Sequence, residues 1–415
     1  MFDDKGSKIY YFYICAELIC DMKFIAYFIG YIVWAFSLLM PRSKKIWVFG
    51  SFRGTFADNA KYLFIHVAES SKIIKPVWIS YKTSTVKQVR DLGLKAYSIF
   101  SIQGLYYALR GGYYFFNAYS SDICYFTSGR AVQVNLWHGV GLKKIEFCID
   151  RGPLYSRYVR KTLKERFYYP QVYHRPDYFL SSTPFQSVKF AQAFRIDEQH
   201  CLNIGYPRND ILLASEGERQ AYLNRFESDK TKGLIGRLQS YKRVFLYMPT
   251  WRESQRKLFA EHLNLEVLNK LMLQKDGLLV LKPHANTIVE NREVMSHYSN
   301  ILLLEGGVDI YPLLAYTDVL ITDYSSILYD YLLLDNKGVI LYLYDYKEYV
   351  KDRDFNYPFM ENVVGEVACT FAELVAIIER DEYDRSRYGL MRERFWGEYK
   401  GRACQSITEM FKNKQ

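Results

Sequence analysis

"DVLITDYSSILYDYLLL", residues 318–334, decides the fold. An apolar run of strand length ends in Thr322 and Asp323, and a helical apolar pattern opens at Tyr324, Ser325 and Ser326. A short unbroken apolar strand that turns directly into a helix is the unit of a parallel sheet covered by helices. The unit recurs in "RVFLYMPTWR" at 243, "GLLVLKPH" at 277, "NILLLE" at 300 and "GVILYLYD" at 338. An earlier series holds "KIWVFGS" near 46, "PVWIS" near 77, "AYSIF" near 97, "YYFFNAY" near 114, "VNLWH" near 135 and "DYFLSS" near 179. A polar, charged stretch from Ser215 to Lys242 separates the two series. The expected fold is therefore α/β, with two Rossmann-like domains, residues 46–215 and 216–370, facing a cleft. Residues 371–415 read as charged amphipathic helices that cross back to the first domain.

The totals narrow the class. The 415 residues are 49% hydrophobic and 24% charged, which excludes a disordered chain. Net charge is +10, so an anionic partner is expected: nucleic acid, anionic lipid or a phosphate-bearing substrate. The seven cysteines are scattered without a CxxC pair, which argues against a zinc ribbon or a disulfide scaffold and fits a reducing compartment. From Phe24 to Met40 no residue is charged, and "PRSKK" follows. Seventeen helical residues reach roughly 25 Å, short of the ~30 Å hydrocarbon core. Residues 1–45 are read as a membrane-associated helical segment on the cytoplasmic face, with a true span or a buried core helix as alternatives.

In open α/β sheets, ligands bind beyond the carboxyl ends of the strands. Those ends carry His138, Thr250 and Arg252, Lys282 and His284, and Asp323 with Ser325 and Ser326. The last group reads as a phosphate seat at a helix start or, equally, as a plain N-cap. Arg252 can grip a phosphate through two parallel N–H donors. An imidazole is the base that works near neutral pH, and a leaving phosphate needs fixed positive charge. The set suits attack by a hydroxyl on phosphorus or on an anomeric carbon. Asp352-Arg353-Asp354 is the one D-x-D, a weak metal site, and no metal or other cofactor is expected to be required.

At these residues the chain resembles the CDP-glycerol glycerophosphotransferase family of teichoic-acid and capsule synthesis. The similar pieces are "WVFGS" at 47–51, "LWHGVGLKK" at 136–144, "GYPRND" at 205–210, "YMPTWRES" at 247–254, "LKPH" at 281–284 and the opening stretch. The resemblance implies a GT-B fold, a peripheral or monotopic place on the inner membrane face, and transfer of a polyol phosphate from a CDP-polyol to a lipid-linked, undecaprenyl-type acceptor with release of CMP. It makes the first domain the acceptor half and the second the nucleotide-donor half. It assigns His138 as the base, and Arg252 and His284 as ligands of the donor pyrophosphate. Thr250, Lys282, Asp323, Ser325 and Ser326 fall to the donor phosphate. Gly141 stands where the family's histidine loop commonly has proline, so a more flexible loop is expected.

A basic, tyrosine-rich stretch, residues 150–177, places Arg157, Arg160 and Lys164 at helical spacing; with Lys143 and Lys144 they are candidates for an acceptor or membrane surface. The alternatives to a glycerol-phosphate transferase are a ribitol-phosphate transferase using CDP-ribitol, and a GT-B glycosyltransferase using a nucleotide sugar. A third is a non-enzymatic binder of nucleic acid or membrane; no nucleic-acid motif is present, and none is expected as a partner.

Overall fold

The computed structural model describes residues 22–152, 154–250, 262–283, 297–304, 308–352 and 354–414. Two parallel sheets organise them. The first holds β1 (Ser43–Phe49), β2 (Lys75–Ser80), β3 (Ala96–Ser98), β4 (Gly111–Phe116), β5 (Val132–Asn135), β6 (Tyr178–Ser181) and β7 (Cys201–Asn203), in the order β3-β2-β1-β4-β5-β6-β7. The second holds β8 (Arg243–Met248), β9 (Gly277–Leu281), β10 (Ile301–Leu303), β11 (Val319–Thr322), β12 (Gly338–Tyr342) and β13 (Glu366–Ala368), in the order β10-β9-β8-β11-β12-β13. Every residue of β4, β9 and β12 is buried, as expected for strands covered by helices on both faces.

In each sheet the first strand of the series lies between strands that the chain reaches on opposite sides. The order therefore reverses between β1 and β4 and again between β8 and β11. These reversals are the crevices that α/β folds use for ligands.

The stretch read as a polar junction is helical. Helices Glu216–Phe226 and Asp229–Gln239 occupy it, the first opened by a reciprocal Ser215–Glu218 cap. Only Leu223, Phe226, Thr231, Ile235 and Leu238 are buried there, too few to give the sequence an apolar stripe.

The C-terminal helices tie the halves together. In helix Tyr388–Trp396, the Trp396 indole donates to the Tyr329 carbonyl at 2.8 Å, and the Arg394 carbonyl accepts from the Thr183 hydroxyl at 3.1 Å. Helix Ala403–Lys412 returns to the first sheet, where the Phe411 ring packs against Tyr113 and Phe115 at 5.4 and 5.6 Å. The Asp210 carboxylate accepts the N–H groups of Ala403 and Cys404, at 2.9 and 2.8 Å, and so holds that helix start.

Residues 22–37 are helical, and no helix among the described residues is long and apolar enough to cross a membrane. One side of this helix packs on Phe126, Phe167 and Tyr168 through Tyr27. The other leaves Ile25, Phe28, Ile29, Ile32 and Phe36 more than half exposed. Arg42, in the "PRSKK" run that follows, donates to the carbonyls of Ala108 and Thr127, each at 2.8 Å.

Candidate active site

The carboxyl ends of both sheets contribute to one cavity of about 640 Å³. Asp58, His138, Lys143 and Arg208 line it from the first half; Thr250, Lys282, Asp309, Ser325 and Ser326 line it from the second.

His138 is delivered by a forced turn. After β5, the Asn135 carboxamide oxygen accepts the Trp137 N–H at 2.9 Å, and Trp137 takes a left-handed φ of 50°. The Asn59 amide donates to the Leu136 and Trp137 carbonyls, at 3.2 and 2.8 Å, which fixes the departing backbone. The imidazole lies on the Trp137 ring, centroids 4.0 Å apart, and hydrogen-bonds the Asn117 backbone. The ring is deep in the molecule yet exposed, because its free surface opens into the cavity. Burial lowers its pKa, the Asp58 carboxylate opposes that, and Arg208 reinforces it. A neutral imidazole with one nitrogen engaged by backbone is a proton acceptor in waiting.

Two residues of this shell were not singled out from sequence. Asp58 opens helix Asp58–Ser70 at a left-handed φ of 62°, a conformation that a non-glycine residue holds only when its surroundings enforce it. Arg208 is the enforcer. Its guanidinium donates to the Asp58 carboxylate at 2.7 Å, to the His138 carbonyl at 2.9 Å and to Asp330 at 2.9 Å, and it stacks 4.4 Å from the Tyr311 ring. Its signal was present in "GYPRND": an arginine inside a short turn that follows a strand.

From the second half, Lys282 follows β9 and lines the cavity. Burial lowers its pKa, and Asp309 pulls the other way. Asp309 is itself engaged: it accepts from Lys61 at 2.9 Å and from the Tyr62 hydroxyl at 3.0 Å. Burial pushes its carboxyl up, and Lys61 outweighs that to hold it below the usual range. Ser325 and Ser326 present the turn after β11 to the cavity, and Ser326 makes no side-chain cap bond to the helix it precedes, Ile327–Tyr331. A Cβ added at Gly139 would come within 3.4 Å of the Ser326 hydroxyl, so the histidine loop and the serine turn are immediate neighbours.

Three expectations change. Asp323 does not line the cavity: it is buried, and its carboxylate accepts the N–H groups of Thr250, at 2.9 and 3.1 Å, and Tyr324, at 2.6 Å. It joins the ends of β8 and β11. Lys144, expected on an acceptor or membrane surface, is paired with Asp354 at 2.5 Å and with Asp150 at 3.2 Å, which gives the D-x-D carboxylate a structural partner. Arg157, Arg160 and Lys164 do not share one helix. A wide turn, Ser156–Arg160, is broken from helix Leu163–Tyr168 by Lys161 at φ 52°. Arg157 packs over the Tyr169 ring at 4.0 Å, while Arg160 and Lys164 are exposed. Lys143 lies 5.5 Å from the Tyr349 ring at the cavity edge. Arg252 and His284 fall outside the described residues. Among the described residues, no group of three or more His, Cys, Asp or Glu could hold a metal ion.

Residues 32–412 match the family described as CDP-glycerol:poly(glycerophosphate) glycerophosphotransferase. The chain belongs to this family. It is thus one of a family of transferases, and its relatives act in teichoic-acid synthesis. A teichoic acid poly(glycerol phosphate) polymerase of Staphylococcus epidermidis is 27% identical over 345 residues, 78% of this chain and 44% of that protein. A teichoic acid ribitol-phosphate primase of Bacillus spizizenii is 29% identical over 284 residues, 67% of this chain and 68% of that protein. The chain therefore spans less than half the length of the first relative. The wall teichoic acid polymerase TagF has a similar fold, with TM-score 0.72, 23% identity and coverage of 90% of both chains.

Proposed function

We propose that this glycerophosphotransferase-family chain moves a polyol phosphate, glycerol phosphate first among candidates, from a CDP-polyol to a hydroxyl of a lipid-linked acceptor. The acceptor oxygen attacks the phosphorus that carries the polyol, and its proton passes to His138. The bond between that phosphorus and the bridging oxygen breaks, and CMP leaves with the electron pair. The carrying observation is that one cavity takes an imidazole from the first half and Lys282, Ser325 and Ser326 from the second. In this reading one half supplies the base and the other the positive charge awaiting the leaving phosphate. The two halves act as the acceptor and donor domains of a GT-B enzyme, with boundaries near residues 46–215 and 216–370. Arg252 and His284 complete the donor-phosphate site in this reading.

The acceptor reaches the site at the cytoplasmic face of the membrane. The exposed apolar side of helix 22–37 supports this, as do Arg160 and Lys164 on the segment against which the helix packs. The test is incubation of purified protein and a lipid-linked acceptor with CDP-glycerol, CDP-ribitol or UDP-sugars, scored for CMP or UDP. CMP release that depends on acceptor is expected; UDP release alone would make the protein a glycosyltransferase, and no release from any donor would end the reading.

A further inference from the structure

The loop that carries His138 away from β5 continues through Gly141–Lys144, and residues 354–357 of the other half run antiparallel against it. Lys143 and Phe355 form the antiparallel bridge. The Lys144 N–H donates to the Asp354 carbonyl at 2.9 Å, and the Asn356 N–H to the Leu142 carbonyl at 2.9 Å. The Asn356 side chain then adds a fork. Its single amide nitrogen donates to the carbonyls of Gly141 and Lys143, both at 2.8 Å. On the first-half side the fully buried Gln186 completes the grip: its oxygen accepts the Gly141 N–H at 2.8 Å, and its nitrogen donates to the Tyr357 hydroxyl at 3.2 Å.

Gly141 is thus held by hydrogen bonds on both its N–H and its carbonyl. A Cβ at this position would meet the Phe190 ring at 2.9 Å, and a proline would also forfeit the N–H that Gln186 accepts. The flexibility expected of a glycine in the histidine loop is cancelled by partners from both halves.

We infer that Asn356 is a positioning residue for the transfer step: together with Gln186 it sets the 139–144 loop against the second half, so that His138 is held in the cavity it shares with the neighbouring serine turn. The inference rests on the reading of His138 as the base. Asn356 touches neither substrate nor imidazole; it acts through the backbone that carries the imidazole, and catalytic geometry of this kind is sensitive to shifts of about 1 Å, on the order of 10²-fold in rate.

The test compares Asn356→Ala and the isosteric Asn356→Asp, which replaces the amide nitrogen and its two N–H donors by one carboxylate oxygen facing two carbonyls. Both variants are expected to bind CDP-glycerol as the parent does in calorimetry, while kcat falls about 10- to 100-fold. Introduced into a His138→Ala background, Asn356→Ala is expected to cost nothing further, because the group it positions is gone. Parental turnover by Asn356→Asp would overturn the inference. So would loss of CDP-glycerol affinity in both variants, or an undiminished penalty in the His138→Ala background, since each marks a general structural role. Full activity of His138→Ala alone would instead remove the base reading beneath it.

Discussion

Arg208 and Asp330 are joined across the two halves of the molecule by a buried ion pair, Nη2 to Oδ2 at 2.9 Å, with both side chains less than 8% exposed. The same Arg208 nitrogen donates to the His138 carbonyl, so the contact that seals the halves also fixes the histidine loop. Asp330 further accepts from Asn209 at 2.9 Å and from the Tyr311 hydroxyl at 2.5 Å. Removal of one partner leaves a buried charge uncompensated, which typically costs ~3–5 kcal/mol. Asp330→Ala is expected to lose stability of that order in chemical denaturation. A change below about 0.5 kcal/mol, the range of an ordinary surface substitution, would show that the pair is not buried in solution.

The proposal that His138 is the base carries a pH signature. Burial holds its pKa below the ordinary value of about 6.5, so the neutral, proton-accepting form persists as pH falls through that value. The acid limb of kcat/KM is expected below pH ~6.5, and Asp58→Asn should move it further toward acid by removing the opposing carboxylate. An acid limb at or above pH ~6.5 in the parent would contradict this assignment. His138→Ala, and Arg252→Ala on the sequence argument, should each lose at least ~100-fold in turnover while still folded.

Asp122 supplies a second titration, behind the site. Its carboxylate accepts the N–H groups of Asn117 and Ala118, at 3.1 and 2.9 Å, and Asn117 in turn hydrogen-bonds the His138 ring. Burial pushes the Asp122 carboxyl up to about 7, against the pull of those N–H donors. The folded value lies above the unfolded value of ~3.9, so the neutral form is favoured by folding. Its contribution is fully present below the unfolded value and is lost as pH rises through about 7. Relative to Asp122→Asn, the parent should therefore lose stability between pH ~4 and ~7, measured as the denaturant midpoint. Parallel curves for the two proteins would sink the assignment.

Membrane contact is tested at two places. Polar replacement of Phe28 and Ile32, exposed at 57% and 58%, is expected to release the protein from anionic liposomes. Charge reversal at Arg157, Arg160 and Lys164 should weaken the same binding, most strongly at low salt. Liposome binding unchanged by both sets would remove the membrane surface from the proposal.

Much of the architecture was legible because buried parallel strands are unbroken apolar runs. "YYFFNAY" or "GLLVLKPH" admits few other readings. β7 and β13 escaped, since Cys201–Asn203 and Glu366–Ala368 include polar residues and lack the apolar run that marked the equally short β10. At the site, residues at strand ends were found: His138, Thr250, Lys282, Ser325 and Ser326 do share a cavity. The joining role of Asp323 was not legible, because acceptance of two backbone N–H groups and readiness for a phosphate look alike in one dimension. Asp58, Arg208 and Asn356 were missed for a different reason. Their work lies in contacts with residues 150, 70 and 215 positions away, a separation that no local spacing encodes.

The docking of the final helix onto the first sheet means that the polypeptide passes between the halves twice, once outward before β8 and once back after β13. Two covalent crossings define an axle. Separation of the halves would load both connections at once, whereas rotation about the line joining them would strain neither heavily.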